Sequence, residues 1–250
     1  MKIQRVVAAI IGIALPLLAA GAQAAELRVY ASTAMKAVLE KLGPQFETAT
    51  GDKLVFTFGP AATLKTQLDD GAAFDVAVLT PALIDGLATA GKIDSASRAA
   101  IAQAGLGVAV PASSPKPDVS TAEALKRTLL NAKSIGYNGK GASRAGIEAL
   151  LNRLGIADQV KSKIKLLNES APVAVAEGEV EVGLSPMSEV LLVPGVQLAG
   201  PFPTDLQSYL VFAAGVSSAS RNADAAKSLI KFLTAPAATP VFKAKGMEPG

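Results

Sequence analysis

The stretch Leu27-Arg28-Val29-Tyr30-Ala31-Ser32-Thr33-Ala34-Met35 decides how the rest of the chain is read. Its first five residues form a short apolar strand. Ser32-Thr33 then open a helix, because Met35, Val38, Leu39, Leu42 and Phe46 recur at helical spacing. A strand feeding straight into a helix is the repeating unit of a mostly parallel sheet with crossover helices. Gly43-Pro44 falls inside the helical pattern and is expected to kink or interrupt it.

The unit recurs downstream. Residues 54–58 read as a strand, Gly59-Pro60-Ala61-Ala62 as a turn, and residues 63–70 as a helix stopped by Gly71. A third strand, residues 76–79, ends at Thr80-Pro81, where a short helix starts and runs to Ala90. In open α/β sheets ligands sit beyond the carboxyl ends of strands, so these junctions are the natural place for a site. Residues 106–110 form another strand, and the Pro-rich run 111–117 follows as a crossover linker. Beyond it come a helix over 121–130, a strand over 134–137, a loop over 138–142 and a helix over 143–154. A strand over 164–167, a short helix after Ala171-Pro172 and a strand over 180–184 complete that set. Residues 209–214 read as a strand returning to the first set, and 222–233 as an amphipathic helix with Ala225, Leu229 and Phe232 inward. The organisation expected is two α/β lobes, each a mixed sheet flanked by helices. Lobe one takes residues 25–106 and 208–250, lobe two takes 107–207, and a hinge of crossing strands lies near 106–111 and 207–212.

Upstream of the first strand, Lys2 and Arg5 precede an apolar run of 13 residues, 6–18, and the segment closes on Ala22-Gln23-Ala24. That is the pattern of a cleavable secretory signal peptide over residues 1–24. A spanning helix needs roughly 20 apolar residues, so export to the periplasm as a soluble monomer is expected. No Cys follows the apolar run, which removes lipid attachment there.

The chain has 24 Lys and Arg against 21 Asp and Glu, and removal of Lys2 and Arg5 brings it close to neutrality. Its Lys residues are scattered singly, so no basic stripe for nucleic acid is present. The chain has no Cys and no His. Disulfides, Ser-His-Asp and Cys-His nucleophile systems and ordinary zinc sites are thereby excluded. Gly139-Lys140-Gly141-Ala142-Ser143 fits neither the P-loop frame nor the G-x-G-x-x-G spacing, and reads either as a flexible loop or as an anion loop at a helix start. The close acidic pairs, Asp69-Asp70, Glu177 with Glu179 and Glu179 with Glu181, fit solvated faces better than acid/base catalysis. Neither a metal site nor a cofactor is expected. What remains is a recurrence of hydroxyl residues where helices begin: Ser32-Thr33, Thr63, Thr80, Ser143, Ser170 and the Ser185 to Ser188 region. Helix N-termini carry unpaired N–H groups and a partial positive charge, so several converging on one cleft can bind an anion without a cationic side chain.

The chain resembles the periplasmic molybdate-binding proteins and their relatives among bacterial extracellular solute-binding proteins. The similar stretches are residues 29–35, Gln45-Phe46-Glu47 with Gly51, residues 58–64, Gly71-Ala72-Ala73-Phe74-Asp75-Val76, and Lys231-Phe232-Leu233 with Pro236-Ala237-Ala238, Phe242 and Gly246. The resemblance implies a two-lobed, type II periplasmic binding-protein fold that closes on its ligand and delivers it to the membrane permease of an ABC transporter. It places the ligand contacts at Ser32, Thr33 and Ala34, at Ala61, Ala62 and Thr63, at Ser143 and its neighbour Arg144, at Ala171 and at Pro186. Ala61-Ala62 stand where the molybdate binders show Ser, and Pro186 where they show Tyr, so the anion captured is open. Molybdate or a related oxyanion is the leading expectation. A small organic carboxylate, gripped by the Arg144 fork, is the alternative. An exported hydrolase is a third, disfavoured reading, and the chain is expected not to be an enzyme.

Overall fold

The computed structural model describes residues 24–250. The expected signal peptide, apart from its last residue, lies outside the described residues. The chain runs β1 (Glu26–Ser32), a 3-10 turn (Thr33–Met35), α1 (Lys36–Thr50), β2 (Lys53–Gly59), α2 (Ala61–Asp69), β3 (Val76–Leu79) and α3 (Pro81–Thr89). It continues with β4 (Ala99–Pro111), α4 (Ala122–Asn131), β5 (Ile135–Asn138), α5 (Arg144–Arg153), α6 (Ala157–Val160), β6 (Ile164–Leu167) and α7 (Ala171–Ala176). The last elements are β7 (Val182–Pro186), α8 (Met187–Val190), β8 (Val196–Pro201), β9 (Tyr209–Val216), α9 (Ala223–Leu233), α10 (Thr239–Ala244) and β10 (Met247–Pro249).

All ten strands form one curled mixed sheet in the order β2-β1-β3-β9-β4-β7-β5-β6, with β8 and β10 also paired to β4. β1 is parallel to β2 and β3, and β5 is parallel to β6 and β7, as strand-helix-strand units require. The long antiparallel strand β4 joins the two parallel groups. Its early residues pair with β9 as far as Gly105 with Tyr209, and from Leu106 with Pro186 onward it pairs with β7. The two groups of strands expected from the sequence thus meet in one shared strand, and the strand expected at residue 106 begins at Ala99. At the change of partner the Gln207 side chain accepts from Leu106 N at 2.8 Å and donates to Leu106 O at 3.0 Å. Both backbone groups of a buried residue are thus satisfied where the ladder changes partner. Gly107 is required there, because a Cβ would come within 2.8 Å of Gly200 O.

α1 buries Met35 at its start, then Val38, Leu39, Leu42 and Phe46, the stripe its spacing predicts. Pro44 neither ends nor splits this helix. Pro44 is exposed, so the carbonyl one turn earlier can be met by water, and Gly51 at φ +84° closes the helix in the left-handed region. α2 starts at Ala61, two residues before the expected Thr63, because Pro60 takes the capping position with extended backbone. On α9 the buried residues are Ala226, Leu229, Ile230 and Leu233, while Ala225 and Phe232 are only partly buried, so its inward face is turned by about one residue from expectation. One hydrophobic cluster joins β1, β3, α1, α9 and α10, and another joins the second half of β4 to β5, β7, α4 and α5. Among the described residues no helix is long and apolar enough to cross a membrane.

Candidate functional site

Parallel strands bring their carboxyl ends to the same edge of a sheet, and both parallel groups here open onto one cavity. Ser32 ends β1, Gly59 ends β2, Asn138 ends β5, Asn168 follows β6, and Ser185-Pro186 end β7; all line a cavity of about 250 Å³. Each strand end is followed by a helix or turn whose first N–H groups precede any intrahelical acceptor. In α2 the first N–H returned within the helix is that of Leu64, to Pro60 O at 3.0 Å. The N–H groups of Ala61, Ala62 and Thr63 stand ahead of it. In α5 the first bond within the helix is Ile147 N to Ser143 O at 3.0 Å, although Arg144 N already donates to Gly141 O at 3.2 Å. Neither helix has a side-chain cap, unlike α4, where Thr121 accepts from Ala124 N.

Six of the ten expected contact residues line the cavity: Ser32, Thr33, Ala34, Ala61, Ser143 and Pro186. Ser32 and Ser143 are each 5% exposed, and neither hydroxyl has a partner among the described residues. The other four do not line it. Ala62 and Thr63 are turned outward by the earlier start of α2, so only their backbone is near the site. Ala171 is buried behind Ser170, which takes the lining position. Arg144 is half exposed and committed elsewhere: its Nε donates to Glu148 at 2.8 Å and Nη1 to Gly139 O at 3.0 Å. Its guanidinium is turned to Glu148 and to the Gly139 carbonyl and does not line the cavity.

The lining contains no Lys or Arg but two acids that spacing did not single out, Glu169 and Glu189. Ser185 donates to Glu189 Oε2 at 2.9 Å. Burial pushes the Glu189 carboxyl up to about 7 against the opposing pull of that hydrogen bond. Glu169 is exposed and is also raised, by desolvation first and then by the carboxylates of Glu177 and Glu179. These three acids have oxygens within 4.8 Å of one another and could share a cation at the surface. Asn138 is held in the loop: its amide donates to Glu169 O at 2.8 Å and its carbonyl accepts from Lys140 N at 2.8 Å. The Ser185 to Ser188 region was legible as a cluster of hydroxyls after a strand. Glu189 left no signal, because a single acid in a four-residue helix looks like any surface acid.

The arrangement is a concave site of hydroxyls, amides and unreturned N–H groups with one shielded carboxyl. It can hold an anion by fixed dipoles and can hold or release a proton at one atom pair.

Three comparisons bear on it. The family model described as bacterial extracellular solute-binding protein matches residues 27–248. The molybdate-binding protein ModA of Azotobacter vinelandii is 31% identical over 243 residues, covering 92% of this chain and 92% of that protein. The aconitate isomerase of a Pseudomonas species is 27% identical over 240 residues, covering 94% of this chain and 91% of that protein. Among solved structures, the periplasmic molybdate-binding protein of Azotobacter vinelandii superimposes with a TM-score of 0.77 at 21% identity, covering 88% of this chain and 98% of that one.

Proposed function

The chain belongs to the bacterial extracellular solute-binding protein family, and we propose that it is the exported, monomeric capture subunit of an ABC uptake transporter for a small anion. Molybdate or a related oxyanion is the leading ligand. The observation that carries this reading is a cavity bounded by five strand ends and lined without a cationic side chain, where the Ser32 and Ser143 hydroxyls have no partner among the described residues. Transfer of an anion into such a site replaces its water by dipoles already held in place. Two lobes, residues 25–106 with 208–250 and residues 107–207, close on the ligand about β4 and the segment leading into β9. The change of partner in β4 between Gly105 and Leu106, one residue before the proposed boundary, supports this division. Ligand then passes to a membrane permease, the partner this family serves.

A second reading has its own support. The relative named aconitate isomerase spans nearly the whole chain, which favours a small polycarboxylate as ligand, or as substrate. The engagement of Arg144 with Glu148 argues that neither ligand is gripped by that guanidinium.

Melting curves with molybdate, tungstate, sulfate, phosphate and trans-aconitate at millimolar concentration separate the readings. A ligand present at a hundred times its dissociation constant stabilises the fold by about 2.7 kcal/mol. At least one oxyanion is expected to do so, and Arg144→Ala is expected to keep the shift. A shift with trans-aconitate alone favours the second reading, and its conversion by the purified protein would establish an enzyme. No shift with any of the five removes the anion reading.

A further inference from the structure

We infer that anion capture in this cavity is coupled to the uptake of one proton by Glu189, which makes this side chain a determinant of which anions bind and at what pH. The inference rests on the anion reading of the cavity and goes beyond it. Its basis is geometric. Glu189 lines the same 250 Å³ cavity as Ser32, Ala61 and Ser143, so a bound anion and this carboxyl share one concave site. The carboxyl has one polar partner among the described residues, the Ser185 hydroxyl at 2.9 Å, and no cation to neutralise it.

The surroundings supply no other compensation. α8 packs on β4, β7, β8, α1 and the turn Thr33–Met35. β4, β7, β8 and the turn carry no ionisable side chain. From α1 come Lys36, Glu40, Lys41 and Glu47, of which Lys36 is paired with Glu40 at 3.7 Å and lies 6.0 Å from the Phe58 ring centre. Glu169 faces the cavity from the loop after β6, and Lys245 follows α10 beside Gly246, which abuts Met187. None is charge-paired with Glu189. The Ser188 hydroxyl donates to Ala34 O at 2.9 Å and fixes the short helix that carries Glu189 against the turn.

An anion entering beside an ionised carboxylate meets a like charge in a weakly screened space. Burial raises this carboxyl to about 7 in the unliganded protein, so above that pH it is ionised but takes up a proton far more readily than an ordinary acid. Taking up a proton removes the repulsion and turns the carboxyl into an O–H donor toward the anion. The step is balanced: one proton leaves the buffer and bonds to a Glu189 oxygen, and no other bond changes.

Calorimetric titration of the full mature protein with molybdate, sulfate and trans-aconitate, each free of bound protons above about pH 7, tests this in buffers of differing ionisation enthalpy. One proton taken up per anion is expected above about pH 7.5, with affinity falling about tenfold for each further pH unit. Glu189→Gln is expected to bind with no proton uptake and no such slope. Binding with zero uptake, or an unchanged slope in Glu189→Gln, overturns the coupling and leaves the anion reading standing. Absence of heat with all three anions, together with absence of any melting shift, overturns both.

Discussion

Replacing Asp75 by Ala is expected to lower the stability of the fold by about 3 kcal/mol, because it strips the acceptor from a buried junction. Asp75 is 1% exposed and begins the segment leading into β3. Its Oδ2 accepts from Arg28 N at 2.8 Å and from Arg28 Nε at 3.3 Å, and its Oδ1 accepts from the Ser220 hydroxyl at 2.7 Å. Its backbone joins the same region, with Asp75 N donating to Arg28 O and Ser217 N donating to Asp75 O, each at 2.9 Å. One side chain thus ties β1 to β3 and to the turn after β9. The Arg28 guanidinium is about half exposed and can turn to water, so the ion pair itself contributes modestly. The cost lies with the Arg28 N–H and the Ser220 hydroxyl, which lose a partner in a part-buried place. For a domain of this length about 3 kcal/mol lowers the melting temperature by roughly 6 to 12 °C. Asp75→Asn, which retains one accepting oxygen, should fall between wild type and Asp75→Ala. Thermal or urea unfolding of Asp75→Ala within 1 kcal/mol of wild type would contradict this account.

Periodicity carried the elements that lie on one face of a sheet. The stripe Met35 to Phe46 and the strands at 54, 76, 135 and 164 all stand within two residues of where spacing puts them. It failed where the chain satisfies itself by long-range pairing. Residues 99–105 look like an Ala-rich connection, and only their register with β9 makes them the first half of β4. Val196–Pro201 forms β8 for the same reason, although Gly200 and Pro201 weaken any local strand signal. At the site, helix-start residues were legible because hydroxyls after strands are a local pattern. Which of them face the cavity was not. The start of α2 at Ala61 turns Ala62 and Thr63 away, and the reach of Arg144 to Glu148 is a choice of rotamer. Glu189 is invisible in sequence because its character comes from burial, which depends on what β4, β7 and the Thr33–Met35 turn place around it.

That burial has a consequence for stability that does not depend on any ligand. The Glu189 carboxyl is raised from 4.5 to about 7 in the folded protein, desolvation outweighing the Ser185 hydrogen bond. Between these values the folded protein holds a proton that the unfolded chain has released. Stability falls with rising pH wherever the folded state binds more protons, so this carboxyl stabilises nothing at high pH and progressively destabilises the fold from about pH 4.5 to about pH 7. Below that window both states are protonated and the effect vanishes. Above it the cost is complete and, at about 1.4 kcal/mol for each tenfold change in proton affinity, is on the order of 3 kcal/mol. Glu189→Gln keeps the shape and an oxygen for the Ser185 hydroxyl but carries no charge. Its stability relative to wild type is therefore expected to be near zero at about pH 4.5 and to rise to about 3 kcal/mol in its favour by about pH 8. Taking the difference between the two proteins cancels the titration of all other groups, so urea unfolding of both across this range isolates the one carboxyl. A difference that stays flat with pH would mean that Glu189 is solvated and ionised like an ordinary surface acid, and the shielded carboxyl lining the cavity would have to be abandoned.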